Sequence, residues 1–185
     1  GRLPGTDAAL AAMRASSGPR LFAKRGHSLQ WIQRHVHDPY VQRAQEKMYR
    51  SRAAFKLRQL DGRFSFLTPG CAVVDLGCYA GGWSQVALER TDSRDTRKRS
   101  LIIGVDKVRM EPLDFHKFVQ GDVCERGTLL KVQQLLGDRV ANVVLSDMAP
   151  KMSGSKPDDH TASVDLGRAA LAFAEPILHK GGWFV

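Results

Sequence analysis

Short apolar runs alternate with segments of helical length from residue 69 onward. Three runs are continuous and rich in Val, Ile and Leu, which is typical of strands buried on both faces: 72–76, 101–106 and 140–146. Two shorter runs predict a third and a fifth strand, at 118–119 and 183–185. Helices are predicted between these strands, at 83–89, 126–136 and 163–178. The alternation predicts an α/β fold with a parallel sheet and helices on both faces.

A basic segment at 40–60 precedes this pattern; it contains no Gly or Pro and predicts a helix. Pro39, with Asp38 before it, suits the first turn of such a helix, and Asp61-Gly62 is expected to end it. The segment contains one Glu and six Lys or Arg residues: Arg43, Lys47, Arg50, Arg52, Lys56 and Arg58. The helical spacing of Tyr49, Arg52 and Lys56 predicts that these three side chains share one face.

The net charge is strongly positive, with 28 Lys and Arg against 19 Asp and Glu in 185 residues, a formal +9. Such a balance favours polyanionic partners such as nucleic acid, although a generally basic surface is an alternative. Residues 1–37 hold six Lys or Arg and one acid, Asp7. They are interpreted as a basic arm or targeting remnant ahead of a domain at 38–185. A mitochondrial address fits this composition, and so does a disordered RNA-binding arm.

Several classes of protein are excluded by composition. No apolar run reaches the ~18–20 residues that a membrane-spanning helix needs. The three cysteines form no Cys-x-x-Cys pair, which excludes a disulfide framework and a cysteine zinc site. The run Asp158-Asp159-His160 is a weak metal candidate, because three adjacent loop residues rarely supply the required geometry. No metal site is therefore predicted.

The strongest local motif is the glycine-rich turn after the first strand, where Asp75-Leu76-Gly77 precedes Gly81-Gly82. Doubly wound sheets bind their ligand at such a turn. The Gly77-x-x-x-Gly81-Gly82 spacing differs from G-x-G-x-x-G, which disfavours a dinucleotide. Asp106 ends the second strand, where it could accept hydrogen bonds from ribose hydroxyls. This arrangement of acids matches S-adenosylmethionine, and the alternative is a tight turn that serves only the structure.

A second carboxylate, Asp147, ends the fourth apolar run and precedes Met148-Ala149-Pro150. The carboxyl ends of parallel strands meet at one edge of the sheet, so Asp147 is expected beside the same crevice. A carboxylate there could position a substrate hydroxyl or stabilise a nearby ammonium. The alternative is an Asp that makes a turn or caps a helix.

Four motifs together resemble the RrmJ/FtsJ family of ribosomal RNA 2′-O-methyltransferases. They occur in the family's order at near-family spacing: Arg50-Ser51-Arg52-Ala53-Ala54-Phe55-Lys56-Leu57, Asp75-Leu76-Gly77 with Gly81-Gly82-Trp83-Ser84-Gln85, Gln120-Gly121-Asp122, and Ser146-Asp147-Met148-Ala149-Pro150 with Met152-Ser153-Gly154. The likeness runs from about residue 28 to residue 185. The basic start looks most like the mitochondrial branch, which modifies large-subunit rRNA.

The resemblance implies a seven-stranded, Rossmann-like methyltransferase fold with S-adenosylmethionine as cofactor. It implies cofactor contacts at Gly77, Ala80, Gly81, Gly82, Trp83, Asp106, Asp122 and Asp147. Of the family's catalytic Lys-Asp-Lys-Glu set, Lys56 matches the first Lys and Asp147 matches the Asp. The second Lys and the Glu would follow the last residue, so we expect the native chain to continue. RNA contacts are expected from Arg50, Arg52 and Lys56; Lys56 could instead simply bind a phosphate.

The function so implied is S-adenosylmethionine-dependent 2′-O-methylation of large-subunit rRNA in the mitochondrial matrix. The pre-ribosomal particle and its assembly factors would be the partners. An alternative is a ribosome assembly factor of the same fold with little or no activity, because Tyr79-Ala80 replaces the family's usual Ala-Pro. Two loops, 91–100 and 155–162, look expanded; basic loops that flank the crevice would suit an rRNA partner, and the alternative, more common for a run of charges, is a solvated loop. Trp31 and Trp183 are expected in the core.

Overall fold

The structure is a computed structural model that describes residues 49–151 and 153–185. Its strands are β1 (Ala72–Leu76), β2 (Leu101–Asp106), β3 (His116–Gln120), β4 (Ala141–Ser146) and β5 (Leu178–Phe184). Its α-helices are α1 (Ala53–Phe64), α2 (Gly82–Arg90), α3 (Arg126–Leu136) and α4 (Lys156–Ala174). The strands form one parallel sheet in the order β3-β2-β1-β4-β5. The predicted α/β architecture is confirmed.

The strand order places a ligand crevice at the centre of the sheet. The chain runs outward from β1 through β2 to β3, then returns to lay β4 on the other side of β1. The connections from β1 and β4 therefore leave in opposite directions, and a crevice opens at the carboxyl ends of these strands. Both sequence motifs that end in a turn, at residues 77 and 147, lie at this edge.

Two apolar layers cover the sheet, because successive side chains of a strand point to opposite faces. Val74 and Leu76 pack with the layer that includes Val132 of α3 and Phe173 of α4. Val73, on the other face, packs with the layer formed by α1 and α2. All five residues of β1 are buried. Each fully buried Val or Leu contributes about 1.5–3 kcal/mol, so the central strand holds the crevice in a rigid frame.

The predicted start of the helix at 40–60 lies outside the described residues, as do all of residues 40–48. Within the described residues, 49–52 are not helical and the predicted end is wrong. Helix α1 begins at Ala53 and continues through Gly62 to Phe64. An exposed Gly costs about 1 kcal/mol in a helix, less than the burial of Leu57 returns. The helix ends at Ser65, which has a left-handed backbone (φ 54°) and donates its N–H to the Asp61 carbonyl. Tyr49 and Arg52 precede the helix, so the predicted three-residue helical face is also wrong.

The C-terminal elements also differ from the prediction. Helix α4 begins at Lys156, so the stretch 155–162 is mostly helix and not an expanded loop. Pro157 lies in its first turn, where proline is well tolerated, and Asp158 complements the helix dipole. Strand β5 contains the two glycines expected to precede it, with a register irregularity opposite β4. Trp183 is 44% exposed and thus not core; Trp31 lies outside the described residues.

The remaining elements agree with the sequence pattern. β1, β2 and α3 have the predicted bounds; β4 begins one residue later than predicted, and α2 is one residue longer at each end. Strand β3 is longer than its apolar pair because backbone pairing with β2 extends it to five residues. Within the described residues, no helix has the length and apolarity needed to cross a bilayer.

Candidate active site

A cleft of about 620 Å³ lies along the carboxyl edge of the sheet. Four neighbouring strand ends supply its floor, through Gly77, Asp106, Asp122 and Asp147. Much of the remaining lining is apolar and includes Val105, Val123, Met148, Pro150 and Leu166. A mostly apolar cleft of this size with a few convergent carboxylates is typical of a site for a small organic molecule.

The first wall of the cleft is the glycine turn, which depends on a close approach between two strand ends. Gly77 has φ +75°, and a Cβ there would lie 2.3 Å from Cγ of Met148. The backbone N–H groups of Gly77 and Cys78 both donate to the Val105 carbonyl, at 2.8 and 3.2 Å. Only glycine combines this backbone conformation with room for Met148. The sequence after β1 therefore sets the width of the cleft.

Asp106 is held rigidly at the centre of the cleft. Its Oδ2 accepts the Tyr79 backbone N–H at 2.9 Å, and its Oδ1 accepts the Val108 backbone N–H at 2.8 Å. Each carboxylate oxygen keeps a second lone pair after these bonds. The side chain is thus oriented by both flanking loops and can still accept hydrogen bonds from a diol. The ribose role of Asp106 stays a prediction.

Asp122 occupies the next position along the cleft, after β3. Its Oδ1 accepts the Cys124 backbone N–H at 3.0 Å, and its Oδ2 pairs with Nζ of Lys107 at 2.8 Å. The Cys124 amide, and then the Lys107 ammonium, lower the pKa of Asp122. Its carboxylate also raises the pKa of Lys107, so the pair is charged at neutral pH. Asp122 therefore lies where a ligand that contacts Asp106 would extend.

The two predicted catalytic residues meet at one end of the cleft. Nζ of Lys56, on α1, lies 2.5 Å from Oδ1 of Asp147, although 91 positions separate them in the chain. The Lys56 side chain is 60% exposed and the Asp147 side chain 33%, so both remain accessible. The Lys56 ammonium also lies 5.7 Å from the centre of the Trp83 ring, in cation–π contact. The structure thus places a cation and a carboxylate side by side beside the ligand cleft.

The comparisons with known proteins agree with this geometry. The profile of the FtsJ-like methyltransferase family matches residues 49–185. The chain belongs to the FtsJ-like methyltransferase family. Its methyl donor is S-adenosylmethionine, and the cleft fits this cofactor: Asp106 retains acceptor capacity for a ribose, and the lining is otherwise mainly apolar.

Curated relatives share much of the sequence. Ribosomal RNA large subunit methyltransferase E of Ruegeria sp. (strain TM1040) is 44% identical over 165 residues, which cover 88% of this chain and 69% of the relative. The Cereibacter sphaeroides (strain ATCC 17029 / ATH 2.4.9) protein of the same name is 46% identical over 158 residues, 84% of this chain and 64% of the relative. This chain thus spans about two thirds of their length.

A solved structure has the same fold. A crystal structure from Plasmodium falciparum, described as that of a ribosomal RNA methyltransferase, aligns with a TM-score of 0.67 at 36% identity. The alignment covers 73% of this chain and 76% of that one. The FtsJ-like fold predicted from the four motifs is therefore confirmed.

Some predicted cofactor residues of the FtsJ-like domain do not line the cleft. Gly82 and Trp83 are buried under the segment that precedes α1: a Cβ on Gly82 would lie 2.1 Å from Ser51 Oγ, and Nε1 of Trp83 donates to the Ala53 carbonyl at 2.7 Å. Gly81 and Ala80 are likewise absent from the lining. Tyr79, beside them, does line it. In this structure the Gly-Gly-Trp stretch packs the start of α2 against the start of α1 and the residue Ser51 before it. A cofactor contact there stays a prediction.

The structure also separates the predicted basic features of the FtsJ-like domain. The loop 91–100 connects α2 to the start of β2, so it lies at the amino ends of the strands, across the sheet from the cleft. There Arg139 donates to the carbonyls of Arg99 (2.5 Å) and Gly70 (2.8 Å). The prediction that this loop flanks the crevice is wrong, because its position in the βαβ unit assigns it to the opposite edge. Arg52 is exposed at the position just before α1, four residues before Lys56 in the sequence.

Asp75, the acid before the glycine turn that is expected with Asp106 to suit the cofactor, lies beneath the cleft and is absent from its lining. It is 1% exposed, and its Oδ2 accepts the Ser84 hydroxyl at 2.7 Å. The pKa of Asp75 is raised to about 7, chiefly by burial; the hydrogen bond from Ser84 lowers it, and the charges of Asp147 and Asp106 add to the increase. Its signal in the sequence is a carboxylate inside an otherwise apolar strand. A buried carboxyl with such a pKa is common at functional sites.

Proposed function

We propose that this protein transfers a methyl group from S-adenosylmethionine to a ribose 2′-hydroxyl of large-subunit ribosomal RNA. The observation that carries the proposal is the Lys56–Asp147 pair at the end of the cofactor cleft. The curated relatives named large subunit methyltransferases, and the net charge of +9, support an rRNA substrate. A basic surface attracts the phosphate backbone, which provides most of the sequence-independent affinity for RNA.

The bound cofactor would supply an electrophilic methyl group on a positively charged sulfur. A 2′-hydroxyl that enters the cleft would have to lie in line with that methyl group and give up its proton to a base. Asp147 accepts a hydrogen bond from Lys56 and is partly exposed, so it can orient a donor that enters the cleft. Holding nucleophile and methyl group in line can lower the barrier by as much as ~7–11 kcal/mol. The chain's main contribution is therefore orientation.

Lys56 has two roles compatible with its position. Its ammonium could pair with the phosphate next to the target ribose, or it could exchange protons near the 2′-oxygen. The salt bridge with Asp147 and the contact with the Trp83 ring both fix the ammonium at the end of the cleft. Either role requires an amino group at this point: charged to pair with a phosphate, and neutral to accept a proton.

The test is transfer of a labelled methyl group to undermethylated large ribosomal subunits, using the full protein. We expect Asp147→Asn and Lys56→Met each to reduce the rate constant at saturating RNA on the order of 100-fold, within the range of positioned acid–base groups. Lys131→Met is the matched control, since Lys131 is exposed on α3, away from the cleft. Wild-type protein that binds large subunits without any transfer would favour the inactive assembly factor instead.

We also propose that the protein acts in the mitochondrial matrix, on pre-ribosomal particles and alongside their assembly factors. The basic, acid-poor composition of residues 1–37 supports this location. The test is import of the full protein into isolated mitochondria, with a variant in which the six Lys and Arg of that segment are replaced by Gln as control. Co-sedimentation with large-subunit particles tests the partners. Failure of the wild type to enter mitochondria would contradict the location but not the chemistry.

A further inference from the structure

Arg50, expected from the sequence to bind RNA, points its guanidinium at the protein's own backbone. Its NH1 donates to the Glu111 carbonyl at 2.6 Å, and its NH2 donates to the Pro112 carbonyl at 2.8 Å. Its backbone N–H donates to the side chain of Gln85 on α2, at 2.7 Å. Arg50 therefore connects three parts of the domain: the segment before α1, helix α2, and the loop between β2 and β3.

The loop that Arg50 contacts, residues 107–115, forms part of the cofactor cleft. Its first two residues, Lys107 and Val108, line the cleft, and Lys107 is the ion-pair partner of Asp122. Further along the loop, Met110 is buried, with its Sδ 3.6 Å from Sγ of Cys78. The loop thus rests on the glycine turn on one side and on Arg50 on the other.

Arg50 also contacts the glycine turn itself. A Cβ on Gly81 would lie 3.0 Å from Cδ of Arg50 and 3.2 Å from Cε of Met110, so both side chains pack against this glycine. The positive charge of Arg50 also affects the partly buried His116. The pKa of His116 is lowered to about 4, mainly by burial and to a smaller extent by Arg50. The stem and head of Arg50 are therefore both engaged with the protein, although the residue is only half-buried.

Two successive carbonyls held by one side chain require a planar, forked donor. Arginine presents parallel N–H groups in a fixed geometry, whereas the lysine ammonium is a single point charge on a flexible stem. A phosphate contact is satisfied by either cation, because Lys and Arg both neutralise a phosphate. A lysine at position 50 therefore distinguishes the two roles: it retains the charge and loses the fork.

We propose that Arg50 is a positioning residue of the cofactor site, which holds the 107–115 loop against the glycine turn, and not an RNA contact. The inference rests on the proposed cofactor cleft. It adds that Arg50 holds in place the loop between β2 and β3, which forms one side of that cleft. Arg50 lies two positions before the exposed Arg52, so the two arginines of one motif have different functions: Arg50 holds the backbone of the 107–115 loop, and Arg52 remains exposed.

The test compares Arg50→Lys with the wild type in the full protein, using calorimetric titration with S-adenosylmethionine. Loss of one of two hydrogen bonds and of their shared geometry should raise Kd for the cofactor about 10-fold, or about 1.4 kcal/mol. In methyl transfer, KM for the cofactor should rise likewise while kcat changes less than twofold. RNA affinity and its salt dependence should stay at the wild-type value. Amide hydrogen exchange should accelerate in residues 107–115.

The matched control is Arg97→Lys. Arg97 also makes a forked contact, with both carboxylate oxygens of Asp95, but in the loop at the opposite edge of the sheet. It should leave cofactor binding unchanged. Met110→Ala is a second variant, which loosens the same loop without touching the basic segment. It should also raise the cofactor Kd, and this keeps the inference testable if Arg50→Lys fails to fold.

The outcomes separate the inference from the proposed function. An Arg50→Lys variant that binds the cofactor like the wild type would overturn the positioning role, as would a Met110→Ala variant with unchanged cofactor Kd. A charge-removing Arg50→Met variant with weaker RNA binding and a salt slope lower by about 1 would identify Arg50 as a phosphate contact instead. A wild-type protein that does not bind S-adenosylmethionine would contradict the proposed function itself.

Discussion

Because Asp75 is buried, we expect the domain to become less stable as pH rises and this carboxyl ionises. Its carboxyl is protonated more readily in the folded protein, where the pKa is raised from 3.8 to about 7, chiefly by burial. The folded state therefore binds more protons than the unfolded state between these values, so stability falls as pH rises. The penalty is nearly absent below pH 4 and complete above pH 7. Replacing Asp75 with Asn removes this ionisation and retains an oxygen that can accept the Ser84 hydroxyl.

The size of the effect follows from the shift in pKa. Each unit costs 1.36 kcal/mol, so between pH 5 and pH 8 the wild type should lose about 3 kcal/mol relative to Asp75→Asn, as an upper value. Urea unfolding of both proteins at the two pH values measures the difference. Measuring a difference cancels the contribution of His116, whose lowered pKa acts equally in both.

A surface carboxylate provides the control for this experiment. Asp138→Asn, at an exposed position after α3, should change the free energy of unfolding by the same small amount at both pH values. If Asp75→Asn and the wild type show parallel pH profiles, Asp75 is already ionised in the folded protein, and the argument from burial is wrong. A variant that becomes less stable relative to the wild type as pH rises would contradict it more strongly.

Three further substitutions test the cleft and its support. Gly77→Ala places a Cβ against Met148 at a left-handed backbone position, so cofactor affinity measured by calorimetry should fall more than 10-fold. Gly127→Ala is the control; a Cβ at Gly127 would meet open space, so cofactor affinity should not change. Asp106→Ala should also weaken cofactor binding at least 10-fold without altering RNA affinity in filter binding. Asp61→Ala leaves the Leu67 N–H unpaired in the core and should reduce stability by about 1–3 kcal/mol in urea, with normal cofactor affinity in the folded protein.

The apolar pattern predicted the sheet well because parallel strands are buried on both faces and so read as continuous apolar runs. This explains why β1, β2 and β4 were located within a residue. Helix bounds were less predictable, since the packing of Leu57 carries α1 past a glycine, and Pro157 begins α4 inside a stretch that resembles a loop. In α1 tertiary burial outweighs the local preference of a glycine, whereas the first turn of α4 tolerates its proline locally.

The candidate site divides in the same way. Its motifs are local in sequence, so Gly77, Asp106 and Asp147 could each be assigned to a strand end, and parallel topology brings those ends together. The Lys56–Asp147 contact could be expected from the family resemblance, but its 2.5 Å distance depends on the packing of α1. The sequence places Asp75 before the glycine turn, but its raised pKa results from burial, which one sequence does not display.

The order of apolar and polar residues was enough to determine the α/β class and the edge of the sheet that carries the chemistry, because these depend on local periodicity. The roles of individual cations depend on partners distant in the chain. Arg50 and Lys56 belong to one basic motif, yet Arg50 binds carbonyls 61 and 62 positions away, and Lys56 binds a carboxylate 91 positions away. Only folding brings those partners within 3 Å, and it alone decides which positive charge supports the cleft and which faces the substrate.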